Sequence, residues 1–214
     1  KIAADKGLER KYHPWTFNWD DMVEDGETVR GLFTSLIGAN VADIAINPST
    51  AYGVATTSNN SPLSRGQNIV VLHEQFPSNV YVWRKLARAN GGVVLVVKRP
   101  FNNIWATTVL ETLNAQMAIV TLPQCNWTGG NFLDLKVIGK RCRKFGAAFV
   151  IDSTQATDAY PIDLQKLQPN FIACPSFKWL QSPYTLGFLF SAPYRQSGTP
   201  LELHNLNHAE GPSM

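Results

Sequence analysis

Lys178 stands between Phe177 and Trp179 in an apolar stretch, and no acid lies close by in sequence to pair with it. A lysine buried in such a place gives up its proton more readily and becomes a nucleophile toward an aldehyde. The ordinary alternative is a lysine whose stem lies on apolar surface and whose ammonium stays in water. Asp152 ends the apolar run Phe149-Val150-Ile151, which would hold its carboxylate in a poorly hydrated site and call for a cationic partner. A protonated pyridine nitrogen would serve, and keeping that proton in place makes the ring a better electron sink. A helix N-cap aspartate fits the same residues. Gln155, three residues on, could donate to a phenolic oxygen on such a ring. Phe76, in Glu74-Gln75-Phe76-Pro77-Ser78-Asn79, could stack on a flat heteroaromatic ring or fill the core. Ser49 and Thr50, in Asn47-Pro48-Ser49-Thr50-Ala51-Tyr52-Gly53, enter a helix. There the helix dipole and free N–H groups favour an anion such as phosphate, although a plain N-cap reads the same way.

These segments share a position relative to the elements that must carry them. Short apolar, β-branched runs at 43–46, 69–72, 93–97, 118–121, 148–151, 171–174 and 187–190 read as seven strands. The run at 93–97 shows no alternation at all, which predicts a strand dry on both faces. Between the runs lie helix-length segments. Val29, Leu32, Phe33, Leu36 and Ile37 share one helical face before Gly38, and Leu135, Ile138, Cys142 and Phe145 share another before Gly146. Repeated β-α-β units predict a three-layer α/β/α domain around a mostly parallel seven-stranded sheet. In such sheets ligands bind beyond the carboxyl ends of the strands, where the five segments fall. No GxGxxG follows the first strand, which disfavours a dinucleotide-binding dehydrogenase.

Composition narrows the class further. Charged residues make up 16% of the 214, below the roughly 25% typical of soluble domains, so much of the surface is expected to be covered. The formal charge is +3, and the one basic run, Lys140, Arg141, Arg143 and Lys144, reads as a solvated helix face; no nucleic-acid partner is expected. No apolar run approaches the ~20 residues of a membrane span. Cys125, Cys142 and Cys174 are odd in number and lack CxxC spacing, which argues against a disulfide framework and a metal site and for a reducing compartment, the cytoplasm. Both ends look cut.

The stretch 149–190 resembles the class V aminotransferase family of fold-type I pyridoxal 5′-phosphate (PLP) enzymes, which includes cysteine desulfurases and kynureninases. The residues that carry the resemblance are Asp152 and Gln155, then Pro161-Ile162-Asp163-Leu164, then Cys174-Pro175-Ser176-Phe177-Lys178-Trp179, then Gly187-Phe188-Leu189. A second block is 69–83, where Phe76-Pro77-Ser78-Asn79 is similar to the kynureninase-like branch, with a stacking Phe, more than to desulfurases, with a stacking His. The resemblance implies that Lys178 forms the Schiff base with PLP and serves in catalysis, Asp152 pairs with the pyridine nitrogen and Gln155 contacts the phenolic oxygen. It implies Phe76 on the ring, Ser49, Thr50 and Ser176 at the phosphate, and Asn126 or Trp127 against cofactor or substrate. It further implies a homodimer and an amino-acid substrate, with lyase, desulfurase or transaminase chemistry. The sequence departs from the family pattern at Phe177, where relatives carry His or Tyr, and at Ser182-Pro183-Tyr184-Thr185-Leu186-Gly187, which lacks two glycines and a hydroxyl. The expected organisation is a partial N-terminal segment at 1–25, the PLP-binding large domain at 26–200, and at 201–214 the start of a linker to a small domain absent from this chain. An inactive remnant of the fold, acting only as a binding or assembly module, is the alternative.

Overall fold

The computed structural model describes residues 2–203. Seven strands form one sheet: β1 (Ile44–Asn47), β2 (Asn68–Leu72), β3 (Val93–Val97), β4 (Met117–Pro123), β5 (Ala148–Asp152), β6 (Phe171–Pro175) and β7 (Gly187–Ser191). Their order is β1-β7-β6-β5-β4-β2-β3. Every pair is parallel except the two that involve β7. All seven expected strands are present, and the mostly parallel sheet is the one the β-α-β pattern predicts.

Among the described residues, seven α-helices accompany the strands: α1 (Ile2–Tyr12), α2 (Trp19–Ile37), α3 (Thr50–Asn59), α4 (Tyr81–Asn90), α5 (Trp105–Thr112), α6 (Leu135–Phe145) and α7 (Leu164–Leu167). The strand side chains alternate between two apolar layers. Ile69 and Val71 pack with Val54 of α3 and Trp83 of α4, whereas Val70 and Leu72 join Phe33 of α2, Trp105 of α5 and Ile138 of α6. Helices therefore cover both faces, as a sheet of near-continuous apolar strands demands. α2 opens on a capping box between Asn18 and Asp21 and closes on Gly38 in the left-handed conformation; α6 closes in the same way on Gly146. The basic run lies on the outer face of α6, with Lys140, Arg143 and Lys144 exposed.

Three expectations need correction. β3 is not dry on both faces: it is an edge strand, and Val93 is 50% exposed. A run of valines reports that a strand is apolar, not how many neighbours it has. On α2, Phe33 and Ile37 are buried but Leu32 and Leu36 are exposed, so the covered stripe is narrower than the apolar pattern. The third concerns Lys178, described with the site below. α2 runs continuously through position 25, and of the 201–214 segment only residues up to 203 are described. No helix among the described residues is long and apolar enough to cross a membrane.

Candidate active site

The carboxyl ends of β2, β4, β5 and β6 bring the chemical residues to one edge of the sheet. Asp152 is the last residue of β5 and only 5% exposed. One of its oxygens accepts the Thr154 backbone N–H at 3.0 Å. No ion pair reaches it among the described residues. Burial pushes its carboxyl above the usual carboxylate range, while hydrogen bonds from Thr154 and the charge of Lys178 pull the other way. A small pocket opens beside it, lined by Gln75, Phe76, Cys125, Trp127, Asp152 and Gln155.

The lysine reaches the same place from β6. Lys178 Nζ donates to Gln155 Oε1 at 3.0 Å, and the indole of Trp179 donates to the Gln155 carbonyl at 3.0 Å. Two consecutive side chains thus clasp one glutamine of the pocket wall. Lys178 is exposed, which corrects the expectation of a buried amine. The flanking Phe177 and Trp179 do not enclose it, because Phe177 turns away to stack on Tyr184, with centroids 4.7 Å apart.

Phe76 lies at the pocket mouth and is 44% exposed, so it is no core residue. Trp127 meets it edge to face, with ring centroids 5.4 Å apart and planes at 85°. The indole N–H of Trp127 is held by the Glu74 carbonyl at 2.6 Å. Behind Phe76, the buried Asn79 accepts from Trp83 Nε1 at 2.8 Å and from Thr121 Oγ1 at 2.7 Å, and Gln75 donates to the Asn79 carbonyl at 3.1 Å. This polar cluster fixes the turn that carries Phe76.

Asn126 and Trp127 stand in different surroundings. Asn126 is fully buried, and its Oδ1 accepts from Thr128 N, Thr128 Oγ1 and Gly129 N at 3.1, 2.7 and 2.8 Å. Three donors on one oxygen set the orientation of the amide, so its Nδ2 points the other way as a buried donor without a partner. Trp127 has its N–H engaged and offers only ring surface.

On the phosphate side, Ser49 caps α3 by accepting from Tyr52 N at 3.1 Å, and Thr50 Oγ1 lies 3.2 Å from Thr154 Oγ1. The two hydroxyl loops after β1 and β5 are therefore adjacent. Ser176 is turned inward: its hydroxyl donates to the Leu186 carbonyl at 2.6 Å and contacts the Ser182 hydroxyl. The altered segment 182–187 is thereby folded back onto the end of β6, with Gln181 and Thr185 at positive φ.

Among the described residues, a buried carboxylate without an ion pair, an amide donor without a partner and an aromatic corner with a nearby amine suit a charged heteroaromatic aldehyde. Comparison with known proteins agrees. The model of the family described as aminotransferase class-V matches residues 20–202. The chain belongs to the class V aminotransferase family. An uncharacterized aminotransferase, YcbU of Bacillus subtilis, is 22% identical over 174 residues, covering 81% of this chain and 46% of the relative. A probable cysteine desulfurase of Methanothermobacter thermautotrophicus is 24% identical over 165 residues, covering 77% and 41%. Among solved structures, the cystine C-S lyase C-DES in complex with cysteine persulfide superposes with a TM-score of 0.78 at 18% identity, covering 90% of this chain and 53% of that one. A mutant of C-DES was solved with glycine covalently linked to the PLP cofactor. The chain spans about half the length of the class V relatives it matches.

Residues that sequence reasoning passed over include Glu74, Arg99, Thr128, Gln75 and Cys125. The pair Gly129-Gly130 marked a turn after Thr128 and could have drawn attention to it. Nothing in the sequence marks Arg99.

Proposed function

We propose that this chain is the cofactor-binding half of a PLP-dependent enzyme that acts on an amino acid. The observation that carries the reading is Asp152, a buried carboxylate with no ion pair among the described residues, sharing one pocket with Phe76 and with the glutamine that takes the Lys178 amine. Bound there, the cofactor supplies an electron sink for a bond broken at the substrate's α-carbon. Asp152 would hold the proton on the ring nitrogen, in a site dry enough to make that contact strong. Phe76 and Trp127 would cover ring surface and exclude water. Asn126 Nδ2 and Gln155 would donate to the phenolic oxygen, which assigns the polar contact to Asn126 and the apolar one to Trp127.

Lys178 would hold the aldehyde carbon and, once released by the substrate amine, move a proton at the α-carbon. Ser49, Thr50 and the first N–H groups of α3 would cradle the phosphate. The Ser176 hydroxyl, committed to Leu186, would contribute only after that contact opens. We place the parent enzyme in the cytoplasm as a homodimer, with lyase, desulfurase or transaminase chemistry decided by groups outside this chain. Relatives named as aminotransferases and desulfurases do not favour an inactive remnant.

Adding PLP and recording the visible spectrum tests the reading. The expected result is an absorption band that borohydride removes, leaving the cofactor's mass fixed to the peptide bearing Lys178. Lys178→Ala should abolish the fixed mass. A correctly folded wild type that gives neither band nor adduct would overturn the proposal.

A further inference from the structure

At the rim of the pocket the chain binds one of its own carboxylates. Glu74 Oε2 lies 3.3 Å from the Arg99 guanidinium, and the Thr128 hydroxyl stands 3.2 Å from the same oxygen. Arg99 Nη2 in turn donates to Thr128 Oγ1 at 3.0 Å, while the single Thr128 proton has two acceptors, Glu74 Oε2 and Asn126 Oδ1. His73 Nδ1 is 3.8 Å from the other Glu74 oxygen. Three strand ends are joined here: His73 and Glu74 follow β2, Arg99 follows β3, and Asn126 and Thr128 follow β4.

Two features mark the turns that carry this cluster. Arg99 lies so close over the turn that a Cβ on Gly129 would stand 2.7 Å from its Nη2. Glu74 adopts φ 58°, a left-handed conformation costly for a residue with a side chain. The strain is retained where the Glu74 carbonyl also fixes Trp127, the second wall of the pocket. Arg99 and Glu74 side chains remain 38% exposed, so a solute can reach the contact.

We infer that Arg99 and Thr128 form a carboxylate-recognition pair for the substrate, and that Glu74 is the internal carboxylate holding this pair until the substrate's own displaces it. A guanidinium 3.3 Å from the oxygen, beside a hydroxyl that can turn its proton to it from Asn126, offers the donors a carboxylate selects. Thr128 follows Trp127 and Glu74 precedes Gln75, and both Trp127 and Gln75 line the pocket in which the ring would lie, so the pair stands beside it. The inference rests on the proposed function, because it takes the pocket as the ring site. It gives the large domain a share in substrate specificity, favouring substrates with a carboxylate that reaches the rim.

The opposite effects expected at Glu74 and Arg99 provide the test. The PLP-treated protein is titrated with propionate, and with propionamide as the uncharged control, while the Trp127 indole N–H is followed by NMR and assigned with Trp127→Phe. Propionate should shift the signal and propionamide should not. Arg99→Ala should weaken propionate binding roughly tenfold or more, the loss expected for a charge-assisted bond. Glu74→Gly, which suits the left-handed backbone and keeps the carbonyl, should strengthen binding several-fold, and Glu74→Gln should move in the same direction. If Glu74→Gly weakens binding as Arg99→Ala does, or if propionate shifts Arg99→Ala as it shifts wild type, the inference fails. The visible band recorded on the same samples separates this failure from that of the PLP reading, which fails only if wild type shows no band.

Discussion

The Lys178 ammonium and the Gln155 side-chain oxygen are joined by a hydrogen bond of 3.0 Å, linking the loop after β6 to the loop after β5. A neutral amide steers the amine without adding a charge beside it. Gln155→Glu would replace that contact with an ion pair and hold the amine in its protonated, non-nucleophilic form. Capture of PLP at neutral pH, followed by growth of the visible band, should slow about two- to fivefold, the size of an exposed ion pair. Faster capture in the variant would contradict this role for Gln155.

Asp152 carries a pH dependence whose sign follows from its burial. Its folded-state carboxyl titrates above the unfolded range. Stability is therefore fully present below the unfolded value and falls as pH rises through the folded one, because the native state binds more protons across that window. In cofactor-free protein, Asp152→Asn should flatten this fall and raise stability at neutral pH by roughly 1 kcal/mol, since it removes an unpaired buried charge. The same substitution should weaken PLP binding. Urea unfolding of both proteins across the acidic range measures the first effect, and identical pH profiles would refute it.

Asn79 accepts from Trp83 and Thr121 and receives Gln75 on its carbonyl. Asn79→Ala leaves a buried indole N–H and a buried hydroxyl without their acceptor, at a cost of about 2–3 kcal/mol. Denaturant unfolding should show the loss as a lower midpoint. A variant within about 0.5 kcal/mol of wild type would mean that water replaces the amide.

The strands could be read from the sequence because each is a short apolar run bounded by Gly, Pro or polar residues, and the side-chain alternation of Ile69 to Leu72 between two layers follows from the pleat. The placement of Asp152, Gln155, Phe76 and Lys178 along one sheet edge followed from the same periodicity. Exposure did not: Val93 and Lys178 sit in stretches as apolar as buried ones, and neighbours absent from the local sequence decide their access to water. The burial and orientation of the Asn126 amide depended on a turn in which Thr128 and Gly129 converge on its oxygen. Glu74 was invisible because its left-handed backbone is enforced by tertiary contacts and carries no glycine to mark it.

Among the described residues, β3 ends the sheet with one side of its backbone unpaired and with Val93 and Val96 open to water. A row of free N–H and C=O groups flanked by valines is a template on which a further strand can grow. Handling this chain at high concentration should therefore promote self-association along that border, and a lysine in place of Val96 would discourage it by placing a charge where an incoming strand must lie flat.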